Sequence, residues 1–224
     1  MALFSRKSSS TPTSATAPAP VATASAPAAV AVLDAHQFDA ATQAVEDVTG
    51  VYDLDPTHTR IGFSARHAMV TTVRGSFPEF TGEARIDTVN PAASSVSLTI
   101  QAASISTGQE QRDGHLRTGD FFEVDTYPTL TFVSTAVSRP ETDLWSVTGD
   151  LTIKGVTRPV TIEFEQTGSA KDPYGNLRVG FEGSTAINRI DWGLTFNAAL
   201  ETGGVLVSEK IKLEFDVSAI ARTA

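Results

Sequence analysis

Residues 147–164 read VTGDLTIKGVTRPVTIEF, and their spacing decides the fold. Val147, Gly149, Leu151 and Ile153 alternate with Thr148, Asp150 and Thr152; beyond Lys154-Gly155 the alternation returns at Val160, Ile162 and Phe164. Side chains of a strand point to opposite faces with a period of two, so each half carries one apolar face and one wet face. Two such runs joined by a short glycine turn predict an antiparallel hairpin.

The same pattern extends both ways. Ile61, Phe63 and Ala65 alternate with polar or small residues, as do Val96, Leu98 and Ile100, then Leu177, Val179 and Phe181, and finally Ile211, Leu213, Phe215 and Val217. Turn signals separate these runs: Asp55-Pro56, Asn90-Pro91, Arg139-Pro140-Glu141, Asp172-Pro173-Tyr174-Gly175-Asn176 and Gly203-Gly204. Many short antiparallel strands at even spacing fit a sandwich or an up-and-down barrel, and the absence of an internal repeat argues against a propeller. Glycines in or beside strands (Gly62, Gly75, Gly82, Gly149, Gly180, Gly183, Gly193) favour the barrel, because bends at glycine let a sheet curl and close. The expected fold is all-β: an antiparallel eight-stranded barrel over residues 51–220 with a short helical insertion. Periodicity serves a filled barrel and a hollow one equally.

Composition narrows the function classes. The net charge is −9, and no Lys/Arg stripe with interleaved aromatics occurs, so nucleic acid is an unfavourable partner. There is no cysteine, which excludes disulfides and thiolate metal sites. No apolar run is long enough for a transmembrane helix. Residues 1–48 read as an Ala/Pro/Ser/Thr-rich tail, with helical spacing at Leu33, Phe38, Ala41, Val45 and Val48 predicting a short helix over 34–48. Arg6 and Lys7 resemble the basic start of an export signal, but Pro18, Pro20 and Pro27 break the apolar run such a signal needs. The expected compartment is the cytoplasm, with export as the alternative.

One stretch interrupts the alternation: RDGHLRTGDFFEVDTYP, residues 112–128. Arg112, Asp113 and His115 suit an acid–base group, and Asp113 with Asp120 a carboxylate pair. No G-x-S-x-G elbow accompanies them, and His58, His67 and His115 match no short metal-ligand spacing. The alternative is a binding role. A helical turn over Gln109–Thr118 would cap one barrel end, with its arginines at the rim and Phe121-Phe122 plugging inward.

The residues carry a family resemblance. Tyr52-Asp-Leu-Asp-Pro-Thr-His58 with Ile61-Gly-Phe-Ser-Ala-Arg-His67, Val73-Arg-Gly-Ser-Phe77 with Phe80-Thr-Gly82, Arg112-Asp-Gly-His-Leu116, Asp120-Phe-Phe122, Tyr127-Pro-Thr-Leu-Thr-Phe132, Gly149 to Val160, and Ile187-Asn-Arg-Ile-Asp-Trp-Gly193 resemble the YceI-like, or polyisoprenoid-binding, family over residues 51–218. The resemblance implies a lipocalin-like barrel that binds a long isoprenoid chain or similar lipid in an apolar tunnel, with no cofactor and no established catalysis.

On facing and motif membership, the expected tunnel lining is Phe63, Leu98, Ile100, Phe121, Phe122, Phe132, Trp145, Leu151, Ile153, Phe164 and Trp192. Arg66, His67, Arg112 and His115 form the expected head-group rim. Two other readings stand beside carriage: an enzyme acting on an amphiphile through Arg112, Asp113 and His115, and a stress-response module that binds another protein. A homodimer is an open expectation.

Overall fold

In a computed structural model, residues 47–201 and 203–222 are described. The expected tail and the helix over 34–48 lie outside them except for Asp47 and Val48, which are not helical; Val48 is fully buried. Ten strand segments follow in order: β1 (Gly50–Leu54), β2 (Arg60–His67), β3 (Thr71–Ser76), β4 (Phe80–Ile86), β5 (Ser95–Gln101), β6 (Thr129–Ser138), β7 (Leu144–Ile153), β8 (Val156–Lys171), β9 (Leu177–Asn188) and β10 (Val207–Ala221). One α-helix, α1 (Glu110–Arg117), lies between β5 and β6.

The segments form eight staves. β1 and β2 are two halves of one interrupted strand, since both pair with β10, and β3 and β4 are likewise two halves of the next, pairing with β2 and β1 respectively. From β4 the sheet runs through β5, β6, β7, β8 and β9 to β10, every pair antiparallel, and β1 pairing with β10 closes it. Closure removes the exposed edges that would template aggregation.

The quoted hairpin is β7–β8. It turns on Lys154 (φ 49°) and Gly155 (φ 74°), both in the left-handed region that two-residue hairpin turns use. Its inward row, Trp145 to Ile153, is buried at every other residue, as the alternation predicts. The barrel has two unlike ends. Short connections over 87–94, 139–143 and 172–176 meet at one, here the loop end. The hairpin at 68–70, the α1 segment over 102–128 and the connection over 189–206 meet at the other, the cap end.

The interruption between β1 and β2 is held by a charge clamp. The buried Asp55 carboxylate accepts from Thr57 N and Oγ1 (3.0 and 2.6 Å), from His58 Nδ1 (2.7 Å) and from Arg178 Nη1 (2.6 Å). Arg178 Nε also donates to Asp172 at 3.1 Å, which ties the break across β10 to β9 and its loop. Burial pushes the Asp55 carboxyl up, but the bonds from Thr57, Arg178 and His58 reverse this and hold it well below the carboxylate range. Asp172 is held down to about 2, first by its bond from the Asn176 side chain.

A carboxylate with a depressed folded-state pKa contributes stability above its unfolded value, and that stability is lost as pH falls toward the folded value. Asp55→Asn is therefore expected to cost about 2 kcal/mol at pH 7. The gap to the wild type should be constant above pH ~5 and narrow below pH ~4. Urea denaturation across that range checks this; a gap independent of pH would contradict the clamp.

Candidate functional site

The inward rows do not fill the barrel. Unoccupied space inside it, open mouth included, amounts to about 1280 Å³. All eight staves contribute to its wall, and nearly all contributions are apolar. The wall runs from Ile86 and Val137 near the loop end to Ile100, Leu130 and Ile153 near the cap end. Leu130 to Val137 along β6 corresponds to about 20 Å of strand. Arg85 and Ser94 are polar residues of the lining, and both lie toward the loop end.

Flat-lying rings account for the open space. Inward-facing Gly149 and Gly183 have no side chain, and the Phe132 and Phe164 rings of neighbouring strands lie over them; an added Cβ would come within 2.5 Å of either ring. A wall rich in aromatics thus stays thin and leaves the axis open.

Of the expected lining residues, Leu98, Ile100, Phe132, Trp145, Leu151, Ile153 and Phe164 face the bore. The other four sit elsewhere. Phe63 turns its ring over Gly75 and packs on Phe77 at 5.6 Å, and Phe122 meets Phe77 edge-on at 5.8 Å. Phe77 itself faces the bore, so these three rings build its floor at the cap end. Phe121 packs against His115 and Phe196, at 5.2 Å from each. Trp192 is buried at the end of a 3₁₀ turn, with Nε1 donating to Leu151 O at 3.0 Å.

Wall residues absent from that expectation include Ile162, Val160 and Phe215. They share rows with expected residues, so the alternation alone identifies them once aliphatic positions are weighed with aromatic ones. Val137 carries no such signal: a register shift between Ser134 and Ala136 resets the facing of β6.

The expected rim residues lie at the cap end, and their polar atoms mostly hold that end together. Arg112 donates from Nε to Thr107 Oγ1 (2.7 Å) and from Nη2 to Thr107 O (3.1 Å). Asp113, buried, accepts from Thr107 N at 2.9 Å and from its hydroxyl. His115 instead pairs with Asp120 at 2.7 Å. Arg66 donates to Thr72 Oγ1 and to the Met69 and Val70 carbonyls within the β2–β3 hairpin. His67 is exposed at the end of β2.

Arg112, Asp113 and His115 thus form two separate local networks. Among the described residues, no group of three or more His, Cys, Asp or Glu side chains is placed to hold a metal. No helix among them is long and apolar enough to cross a membrane.

A buried arginine was missed by the sequence reading. Arg189 donates from Nε to Ser208 O (3.0 Å), from Nη2 to Val207 O (3.4 Å) and from Nη1 to Leu194 O, fixing the 193–206 connection over the cap end; burial lowers its pKa.

An antiparallel barrel of eight staves, closed at one end by a helical insertion and bored by an apolar cavity, defines a lipocalin-like class of small barrel protein. Residues 52–219 match the profile of the YceI-like domain, and the chain belongs to that family. A UPF0312 protein of Ectopseudomonas mendocina is 38% identical over 158 residues, covering 70% of this chain and 83% of its own. One from Staphylococcus aureus is 38% identical over 164 residues, covering 73% and 93%.

Among solved structures, the Campylobacter jejuni YceI protein superposes with a TM-score of 0.62 at 28% identity, over 70% of this chain and 90% of its own. A polyisoprenoid binding domain from Saccharophagus degradans superposes with a TM-score of 0.59 over 76% of this chain and 98% of its own; at 20% identity that likeness is one of fold.

Proposed function

We propose that the protein binds and carries a long-chain isoprenoid, or an amphiphile of similar width, without transforming it. The observation that carries this reading is the apolar bore: a cavity lined by apolar side chains along the barrel suits a flexible chain and leaves a compact polar substrate without partners. Family membership and the shared fold with a polyisoprenoid binding domain support it. Burying an apolar chain contributes about 25 cal/mol per Å² of surface removed from water, so affinity is expected to follow length.

The test is a series of geraniol, farnesol, geranylgeraniol and longer prenols titrated into delipidated protein by calorimetry. Affinity should rise at least about tenfold per isoprene unit, roughly 1.4 kcal/mol, and level off once the bore is full. Affinity independent of chain length would contradict the proposal.

A further inference from the structure

The barrel closes through β1 and β4, and the short strand β3 keeps one edge open. Among the described residues β3 pairs with β2 alone and stands at the end of the strand order. The neighbouring stave does not run alongside it. β5 ends at Gln101, and the chain beyond it meets β3 at a single bridge, where Ser76 and Ser106 exchange N–H to C=O bonds of 2.9 Å each. Past Ser106 the chain turns away into α1.

Backbone direction fixes what this edge offers. Alternate residues of a strand point their N–H and C=O groups to opposite edges. Ser76 faces Ser106, away from β2, so Thr72 and Arg74 face the same way. Their N–H and C=O groups have no backbone partner among the described residues. The edge is not wrapped: Thr71 and Arg74 are exposed, Thr72 and Val73 half-buried. Thr71-Thr-Val-Arg74 is good strand sequence, with neither a proline nor a bulge to blunt it. At its end the β2–β3 turn presents Met69 and Val70, both largely exposed, on a backbone that holds Ala68 and Met69 at φ 48° and 60°.

We propose that this edge pairs with the same edge of a second copy of the chain, joining two barrels across a two-fold axis. Identical antiparallel edges are self-complementary under such an axis. With Thr72 opposite Arg74 of the second copy, and Arg74 opposite its Thr72, four bonds satisfy every open group on both edges. Val73 then meets its own counterpart on the axis. Other registers do less. Arg74 opposite Arg74 sets like charges together. Thr72 opposite Thr72 brings Arg74 to Val70, whose N–H already donates to His67 O at 3.0 Å. The favoured register also lays exposed Val70 beside Ser76 of the second copy. A loose peptide could make the same four bonds but would first have to be ordered, whereas a second β3 is already extended. The contact is independent of what the bore carries.

The test uses the full chain, which holds no cysteine. Sedimentation equilibrium from micromolar to millimolar concentration should show monomer and dimer in exchange, since so short a contact falls below the size of a permanent interface. Thr72→Pro removes an N–H that faces away from β2. It should leave thermal stability unchanged and weaken the dimer about tenfold or more, as loss of two of the four bonds implies. Val73→Cys should form an intermolecular disulfide under mild oxidation, because residues facing each other in that kind of pair lie about 4.5 Å apart at Cα. Thr71→Cys, whose two copies stand about four residues apart along the ladder, should not. A wild type that stays monomeric throughout overturns the proposal and leaves the edge to a peptide or to water. A dimer unchanged in a folded Thr72→Pro, or Thr71→Cys crosslinking as readily as Val73→Cys, also overturns it. If Thr72→Pro does not fold, the two cysteine variants decide.

Discussion

Ala84→Phe is expected to reduce affinity for a long prenol by about 100-fold or more while the barrel remains folded. Ala84 faces the bore from β4, in register with Tyr52 on β1 and Val96 on β5. It is a small side chain in a wall otherwise built largely from valine, leucine, isoleucine and phenylalanine. A phenyl group there projects from the wall toward the cavity and takes up part of its open space. A ligand chain loses the stretch it would have laid past that point. At about 0.8 kcal/mol per buried methylene, losing three or four methylenes accounts for the full effect. Calorimetry measures the affinity and thermal denaturation the integrity of the fold. Unchanged affinity in a folded Ala84→Phe would mean that the chain does not occupy the bore.

Gly149→Ala should destabilise the barrel by about 2–3 kcal/mol. An added Cβ would lie 2.5 Å from Phe132 Cζ and 2.6 Å from Val133 O. The ring can swing away, but only into the bore; the carbonyl belongs to β6 and cannot move without opening the β6–β7 ladder. Gly183 repeats the arrangement with Phe164 Cδ1 at 2.5 Å and Glu163 O at 2.8 Å. The absence of a side chain at these positions therefore stabilises the wall and keeps the axis open. Urea denaturation of Gly149→Ala gives the stability, and prenol titration of the same variant should show weakened binding as Phe132 is displaced inward. A loss below about 0.5 kcal/mol, the range of neutral surface changes, would contradict the close approach.

Much of the fold was legible because strand alternation is a local signal. Val147 to Phe164 specify a hairpin and its inward face by themselves, and Gln109–Thr118 stand out as an insertion that becomes α1. Two features were not legible because they depend on partners distant in sequence. The register shift in β6 reverses facing between Phe132 and Val137, so no count along the strand places Val137 inward. The interruption between β1 and β2 is fixed by Arg178, far along the chain from Asp55.

The candidate site shows the same division. Leu98, Ile100, Phe132 and Leu151 lie on wall rows that alternation identifies. Phe63, Phe121, Phe122 and Trp192 have the right chemistry but do not lie on the side wall of the bore: Phe63 and Phe122 pack on Phe77 at its floor, Phe121 packs on Phe196, and Trp192 bonds the Leu151 carbonyl. Arg112 and His115 drew attention as a charged cluster, yet charge in a loop says nothing about whether its partners are already local. Theirs are: Thr107 and Asp120.

The central claim is that the bore carries a chain. Native mass spectrometry of the full-length protein, purified from its own host without detergent, tests it most directly. The account predicts a non-covalent adduct of several hundred daltons that organic extraction removes and that fragments as a long-chain amphiphile, present in wild type and missing in Ala84→Phe. Wild-type protein that appears only at the mass of the bare polypeptide, under conditions that preserve known lipid complexes, would contradict it.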